Sequence, residues 1–304
     1  MNQAKIVGIG ACVMDTLIAV PRYPTEDTKL RAISSKPAGG GPVATGLVAA
    51  QKLGVPAEFI GVLSDDAGGK FLISDFEAYG MKTDHITVQS GYRSFTSCIW
   101  LSQSSTSRTC VFDKGNLPPL RLTDAQKQAI ADAELLMVDG NELEAAIEGA
   151  AWAHAHGKKV LYDAGGRYEG VERLLPLADY LIPSAEFAKG FTGCTDEESA
   201  AKALYDQFRP EAVVVTCGKR GGVLYNGSVV WYPIYPATVV DSNGAGDVFH
   251  GAFAAGVVMG FDPEKCCHFS SAVSGLKCTG VGARESVPDF ETVKQYMKEN
   301  GYEL

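Results

Sequence analysis

Residues 241–260 read DSNGAGDVFHGAFAAGVVMG, a run of small residues that leads directly into an apolar helix. Gly244, Ala245 and Gly246 suit a helix start only where a ligand must come close to the backbone. Unpaired N–H groups at such a start bind anions, because the donors and the positive end of the helix dipole point in the same direction. The same field favours the charged form of Asp247. An anion cradle that holds a carboxylate predicts phosphoryl transfer to a hydroxyl group.

Composition and charge limit the classes of function. The chain has 304 residues, 46% hydrophobic and 21% charged, which is typical of a globular protein of one large or two ordinary domains. Its net charge of −9 argues against a general nucleic-acid or anionic-membrane surface, so we expect neither partner. No apolar run is long enough to span a membrane.

The amino-terminal segment and the cysteines indicate a cytoplasmic protein. Residues 5–20, KIVGIGACVMDTLIAV, are interrupted by Asp15 and are interpreted as a first β-strand rather than a signal peptide. The eight cysteines are scattered, without a CxxC pair or metal-ligand spacing. In a chain of this size they are expected to be reduced, mostly buried thiols.

Short β-rich runs alternate with helical segments along most of the chain. This alternation predicts a mainly parallel sheet with helices on both faces, and ligands at the carboxyl ends of the strands. Segments 16–36 and 93–113 break the pattern and predict a small second sheet, so we expect one α/β domain, residues 1–304, that carries a β lid. The predicted strands are 5–13, 57–63, 134–138, 159–163, 179–182, 212–216 and 222–226, and the predicted helices are 42–53, 65–80, 123–132, 142–156 and 196–207.

Two familiar nucleotide motifs are incomplete. VGIGACV, residues 7–13, lacks the third glycine of the dinucleotide fingerprint, and this makes a dehydrogenase a poor hypothesis. DDAGGKF, residues 65–71, lacks the first glycine and the final Ser or Thr of a P-loop.

The motif at 241–247 resembles the Asp-Thr-x-Gly-Ala-Gly-Asp hallmark of the ribokinase-like (PfkB-type) carbohydrate kinases, with Ser242 in place of Thr. Residues 40–45, GGPVAT, look like the amino-terminal sugar-binding signature of that family, and residues 216–221, TCGKRG, resemble its nucleotide-binding turn. The resemblance runs essentially end to end. It implies a three-layer α/β sandwich and a sugar kinase that uses ATP.

The resemblance also implies roles for individual residues. Asp247 accepts the proton of a primary sugar hydroxyl, while the amides of Gly244, Ala245 and Gly246 hold the transferring phosphoryl group. In this interpretation Mg²⁺ bridges the phosphates, supported by Glu186, whose family partner Asn is replaced by Pro183. Asp241, with backbone near Gly282, is the candidate for a monovalent-cation site, such as one for K⁺. The nucleotide contacts expected from the family are Thr216, Gly218, Gly221 and Ser271.

On the sugar side, Asp15 stands where the family grips sugar hydroxyls. Gly40 and Gly41 let a sugar approach the backbone, and Thr45 replaces the Asn that most members carry. Lys29 and Arg108 lie in the lid segments; if both point inward, they suit an anionic sugar.

Residues 39–45, 248–251 and 276–279 resemble sulfofructose kinases and, more loosely, ketohexokinases and fructokinases. We therefore expect a ketohexose substrate, and a homodimer formed through the lid. A ribose or nucleoside kinase is the alternative, with Phe95, Trp100 and Phe112 as candidates to stack on a base. A protein that senses sugars or nucleotides without catalysis is the alternative of another class.

Overall fold

The computed structural model of the chain describes residues 4–105, 107–166 and 168–304. Strands and helices alternate along the chain as the sequence predicts. The strands are β1 (Ile6–Ile9), β2 (Val13–Val20), β3 (Ser34–Gly40), β4 (Ala57–Ser64), β5 (Ile86–Gln89), β6 (Thr96–Ser102), β7 (Ser107–Asp113), β8 (Leu135–Val138), β9 (Lys159–Ala164), β10 (Tyr180–Pro183), β11 (Ala212–Thr216), β12 (Gly222–Tyr225) and β13 (Val229–Tyr232). The α-helices are α1 (Pro42–Lys52), α2 (Ala67–Ala78), α3 (Asp124–Asp132), α4 (Leu143–Ala155), α5 (Ala185–Thr192), α6 (Glu197–Phe208), α7 (Ala245–Val258), α8 (Pro263–Lys277) and α9 (Phe290–Glu299).

Nine strands form the large sheet, in the order β13-β12-β11-β10-β9-β8-β1-β4-β5. Its strands pair in parallel except at β12 and β13, which are antiparallel. Successive strand residues face opposite sides of the sheet, so Ile6 packs in one core and Val7 in the other. The first core lies under α1, α2, α7, α8 and α9, and the second under α3, α4, α5 and α6. The predicted arrangement of helices on both faces is confirmed.

A second sheet of four strands has the order β3-β2-β6-β7. Its β2–β3 and β6–β7 pairs are antiparallel, and its two central strands run parallel. This sheet corresponds to predicted segments 16–36 and 93–113, with different boundaries: pairing begins at Val13 and ends at Gly40, and residues 21–33 form no strand.

The predicted first strand, residues 5–13, was too long. β1 ends at Ile9, and a side chain on Gly10 would place its Cβ 2.4 Å from Cγ of Asp139. After Ile9 the chain leaves the large sheet, and it enters the small sheet at β2. Strands β5 and β13 and helices α5, α8 and α9 were not predicted.

Most of the α-helices begin at a side-chain cap, whereas α1, α4 and α7 do not, and α4 begins at Glu142. Helices α2, α3, α5, α6, α8 and α9 each begin at a side-chain cap: Asp66, Thr123, Ser184, Asp196, Asp262 and Asp289, respectively. Helices α1 and α7 begin instead at Gly41 and Gly244, both with positive φ and neither with a side-chain cap. Their first N–H groups are thus left to partners outside the helix.

Among the residues that the structure describes, no helix is both long and apolar enough to cross a membrane.

Candidate active site

A cavity of about 200 Å³ lies between the two sheets. The glycine starts of α1 and α7 both reach it, through Gly41 before α1, Asn243 before α7 and Asp247 in α7. The small sheet contributes Asp15, Ser97 and Phe112 among other residues. The full lining is Ala11, Val13, Asp15, Gly40, Gly41, Pro42, Thr45, Phe95, Ser97, Ile99, Cys110, Phe112, Lys114, Asn141, Tyr168, Asn243, Asp247 and Ala283.

Asp247 lies in the first turn of α7, where the cradle was predicted. Gly244 has φ +73°, and a Cβ there would lie 2.4 Å from Cβ of Ala283, so both its conformation and its packing require glycine. Gly246 differs, because no heavy atom of the described chain lies within 4 Å of the place its Cβ would take. The predicted cradle is therefore open to solvent at Gly246 and closely packed behind Gly244.

Several charges act on the carboxyl group of Asp247. Burial raises its pKa above the ordinary value, and the charges of His250, Arg108 and Lys277 act in the opposite direction. Asp139 adds to the increase in pKa. A raised pKa makes Asp247 a stronger base than an exposed aspartate.

Asp15 lies on β2 and not at the end of the first strand, as the sequence suggested. Its Oδ1 accepts a hydrogen bond of 2.6 Å from Oγ of Ser97, in register with it on β6. Burial raises the pKa of Asp15 to about 6, while the Ser97 hydrogen bond lowers it and the charge of Asp247 raises it further. The two carboxylates thus influence each other across the cavity.

The GGPVAT segment forms the adjoining wall. A Cβ on Gly40 would lie 2.1 Å from Oδ2 of Asp15, so glycine is needed for the carboxylate to fit. Gly41 has φ +94°, and its Cβ would lie 2.2 Å from the carbonyl oxygen of Ala11. Thr45 is buried in α1 at the cavity wall, and its Oγ1 accepts a 3.4 Å hydrogen bond from Nε of Arg284.

Arg284 is a buried residue that the sequence analysis missed. Only 1% of its surface is exposed. Its Nη1 pairs with Oδ2 of Asp75 at 2.5 Å, and its Nη2 donates to the carbonyl oxygen of Gly40 at 2.7 Å. Arg284 therefore joins the loop after α8 to the glycine segment of the sugar side. No pattern in the sequence distinguished it from a surface arginine.

Two further carboxylates lie at the carboxyl ends of strands. Asp139 follows β8, and its Oδ2 accepts from the N–H groups of Ala11 at 2.8 Å and Val43 at 3.3 Å. It therefore caps α1 in place of the missing N-cap side chain. Asp163 lies on β9, and burial raises its pKa to about 7. Their positions at strand ends were a usable signal, since ligand sites form at that edge of a parallel sheet.

The loop before α7 is held from two sides. Asp241 Oδ1 accepts from the N–H of Asn243 at 2.8 Å, and its Oδ2 accepts from the N–H of Gly282 at 2.9 Å. The backbone carbonyl oxygens of Asp241 and Asn243 accept hydrogen bonds from Nζ of Lys277, the first at 2.8 Å. Asp241 and Gly282 are thus joined by a direct hydrogen bond, and the cation site predicted there stays a prediction.

Comparison with known proteins identifies the family. The model of the pfkB family carbohydrate kinases matches residues 3–289. The chain belongs to this family. It is 27% identical over 299 residues to a ribokinase of Bacillus subtilis (strain 168), covering 96% of this chain and 99% of the relative. It is 25% identical over 295 residues to a ketohexokinase of Mus musculus, covering 91% and 97%. The structure of Arabidopsis thaliana ribokinase complexed with ribose and ATP matches with a TM-score of 0.86 at 25% identity, covering 98% of this chain and 99% of that one.

The pfkB membership makes the chain an ATP-dependent carbohydrate kinase and confirms the ribokinase-like fold. Ribokinase and ketohexokinase relatives match at nearly equal identity. The comparisons therefore identify the class of reaction and leave the sugar open.

The structure separates the two basic residues predicted on the sugar side of this kinase. Arg108 lies on β7, in register with Leu101 on β6. It is on the face of the small sheet that carries Cys110 and Phe112, both cavity residues. Its charge acts on Asp247. Lys29 is exposed in the connection between β2 and β3 and is not among the cavity residues. A basic residue that was not predicted, Lys114, lines the cavity, with its Nζ 5.4 Å from the ring centre of Tyr168.

The predicted nucleotide residues of the kinase lie outside this cavity. Thr216 ends β11, Gly218 begins the following 3₁₀ turn and Gly221 comes directly after it, both glycines with positive φ. Ser271 lies on α8, and its hydroxyl donates to the carbonyl oxygen of Pro233 at 2.6 Å. Glu186 is exposed in the first turn of α5, directly after β10. The nucleotide and metal roles of these residues stay predictions.

Proposed function

We propose that this kinase transfers the γ-phosphoryl group of ATP to a primary hydroxyl of a ketohexose. One observation carries the proposal: Asp15 and Asp247 line a single cavity that ends at the uncapped start of α7. A carboxylate that grips sugar hydroxyls and a carboxylate that accepts a proton are thereby placed around one small ligand. The open space at Gly246 leaves room for a phosphoryl group at the same end.

The chemistry follows from this placement. The sugar oxygen attacks the γ-phosphorus and forms the new O–P bond, the bond between phosphorus and the bridging oxygen breaks, and ADP leaves. The hydroxyl proton passes to Asp247, whose raised pKa suits it to accept one. The amides of Gly244 and Gly246 would stabilise the charge on the transferring oxygens. The amide of Ala245, the third in the proposed cradle, donates to the carbonyl oxygen of Ser242 at 3.3 Å and would have to exchange that partner for the phosphoryl group.

Mg²⁺ fits this scheme as an ion that arrives with the nucleotide. In the described part of the chain no three His, Cys, Asp or Glu side chains form a cluster that could hold a metal by themselves. Mg²⁺ keeps several waters and binds nucleotide phosphates, so a dedicated protein cage is not required. Exposed Glu186 would contact the water shell of the ion, which when bound would neutralise phosphate charge.

The nucleotide itself would lie on the α8 side of the cradle. Ser274 of α8 donates to the carbonyl oxygen of Ala245 at 2.8 Å, which fixes this helix beside the cradle. Apolar Ile234, Val239 and Val240, each at least half exposed, belong to the segment between β13 and α7. Such side chains suit the face of a purine, and Thr216, Gly218, Gly221 and Ser271 remain the proposed polar contacts.

The size of the cavity is compatible with a monosaccharide. Pockets for drug-sized ligands start at about 300 Å³, and this one has about 200 Å³. Arg108 and Lys114 supply positive charge near it, so a substituent that is anionic is compatible with the site. The contribution of Lys29 would require its loop to move toward the cavity.

A nucleoside kinase is the alternative function, and one specific observation favours it. Phe95 and Phe112 line the cavity with ring centres 5.8 Å apart, where a base could stack, whereas Trp100 is not among the cavity residues. A sensor without catalysis has no need for a base such as Asp247 inside an anion cradle.

We also propose a homodimer that forms through the small sheet, which acts as the lid. Edge strand β7 is exposed along its whole length, and Val111 exposes 64% of its surface. Val111 is in register with Cys98 on β6, and Cys98 is in register with Thr16 on β2. An exposed apolar edge strand is a surface on which a second copy could pair.

The deciding experiment measures ADP release from Mg·ATP with fructose, sulfofructose, fructose 6-phosphate, tagatose, ribose and adenosine. We expect a ketohexose to give the highest kcat/KM, and Asp247→Asn to abolish that signal. A preference for ribose or adenosine would refute the ketohexose assignment, and ATP binding without turnover on any acceptor would favour the sensor.

A further inference from the structure

The cradle loop encloses a buried ammonium group. Lys277 is the last residue of α8, and none of its surface is exposed. Its Nζ donates to the carbonyl oxygens of Asp241 and Asn243, which belong to the turn that leads into Gly244. A cation therefore binds the carbonyl oxygens of the turn that precedes the N–H groups proposed to hold a phosphate.

We propose that Lys277 is the built-in cation of this loop, and that the kinase needs no K⁺ or other monovalent metal ion. The resemblance to the family placed such an ion at Asp241 and the backbone near Gly282. The residues present do not fit it, because the carbonyl oxygens that would coordinate the ion already bind an ammonium group.

The partners that the oxygen atoms of this loop already have support this proposal. Backbone carbonyl oxygens are typical K⁺ ligands, since they replace its hydration shell. An ion bound to both carbonyls would take the position of Nζ, and two cations at one site repel strongly. The carboxylate of Asp241 is also engaged, with each oxygen accepting a backbone N–H from Asn243 or Gly282.

Lys277 also supplies the electrostatic effect of an ion. Its charge lowers the pKa of Asp247, against the effect of burial. Burial lowers the pKa of Lys277 itself, while the charges of Asp241 and Asp247 raise it. Because the amine is covalently attached, the loop is occupied at any salt composition, whereas a bound ion stabilises only in proportion to its concentration.

The first test uses the unmodified kinase and two readouts other than turnover. The melting temperature and the ATP affinity are measured in KCl and in tetramethylammonium chloride, both at about 0.1 M to keep screening equal. We expect the ATP Kd to differ by less than about twofold, well below the effect of one lost cation at a phosphate site. A saturable gain in affinity or melting temperature that is specific to K⁺ would overturn the proposal.

The second test changes the lysine. Lys277→Ala removes the ammonium and opens space for a small cation, so ATP affinity should fall by at least about tenfold and be partly restored by K⁺ or methylammonium. Lys52→Ala is the matched control, because Lys52 also donates to two backbone carbonyls, those of Arg284 and Glu285, away from the cradle loop. Its ATP affinity should not respond to K⁺.

Lys277→Met keeps most of the side-chain volume and tests the charge alone. Undiminished ATP affinity in Lys277→Met without K⁺ would contradict the role of the ammonium. If both variants fail to fold, the cation titration of the unmodified kinase still decides the question.

Discussion

His250 Nδ1 lies 3.3 Å from Oδ2 of Asp163, with both side chains almost fully buried. The same Nδ1 is 2.7 Å from the carbonyl oxygen of Gly246, and Nε2 is 3.0 Å from that of Ile182. Both ring nitrogens therefore lie within hydrogen-bond distance of backbone carbonyl oxygens, and a carboxylate lies beside them. These contacts tie the start of α7 to β9 and β10.

Replacing His250 should change the pH profile of the kinase. His250→Gln removes a charge that lowers the pKa of Asp247, so that pKa should rise. Turnover requires the carboxylate, and the acid limb of kcat should therefore move to higher pH. His154→Gln, at an exposed ion pair on α4, is the control. An acid limb that does not move would mean that His250 carries no charge, which ¹⁵N NMR of the ring would check directly.

Asp247→Asn should remove catalysis and leave the fold in place. Loss of a general base typically costs about 10²–10⁴-fold in rate. We expect kcat to fall by this factor while the melting temperature and ATP affinity stay close to those of the parent. Asp84→Asn, at an exposed position before β5, is the control. Activity near the parental level would contradict the assignment of Asp247 as the base.

Asp15 should make sugar binding depend on pH. Its pKa is raised to about 6, so the carboxylate that accepts sugar hydroxyls is lost as the pH falls through that value. We expect the KM for sugar to rise below about pH 6. Ser97→Ala removes a hydrogen bond that lowers this pKa, which should move the rise in KM to higher pH. Ser104→Ala, in the exposed β6–β7 turn, should keep the parental profile; a parental profile for Ser97→Ala would count against Asp15.

Gly246→Ala should separate stability from nucleotide binding. Alanine in a helix is more favourable than glycine by up to about 1 kcal/mol, and no atom of the described chain lies within 4 Å of the new methyl group. We therefore expect a higher melting temperature together with weaker ATP binding, because the methyl group occupies the phosphate side of the cradle. Equal or tighter ATP binding would show that phosphate does not approach at this position.

The dimer proposal predicts a monomer when charge is placed on β7. Val111→Asp puts a carboxylate on the exposed edge strand and should reduce the sedimentation mass to that of one chain. Val229→Asp, on the exposed edge strand β13 of the large sheet, is the matched control. A parent that sediments as a monomer, or a Val111→Asp variant that remains dimeric, would refute the proposed interface.

The sequence predicted the features that depend on local patterns. Alternating segments gave the parallel sheet and its helices, and the Gly244–Asp247 motif marked the start of α7. It could not predict the path from Ile9 to Val13, where Gly10 packs against Asp139, a residue distant in sequence. The predicted first strand consequently continued to residue 13, where β2 begins.

The buried charges were missed for a related reason. Arg284 and Lys277 belong to residue types that are usually exposed, and only their tertiary partners distinguish them. Asp75 and Gly40 lie more than two hundred residues from Arg284 along the chain. In contrast, Asp139 and Asp163 stood at the ends of predicted strands, where the sequence offered a positional signal.

The placement of Asp15 on β2 has a consequence for measurement. Asp15 is carried by the small sheet, whereas Asp247 is carried by a helix packed on the large one. The distance between these two carboxylates therefore reports how the two sheets are positioned relative to each other. A pair of spectroscopic labels, one on β7 and one on α9, would measure the same change in distance between the sheets from outside the cavity. The sugar could then be ranked by how far it draws the labels together, without any turnover.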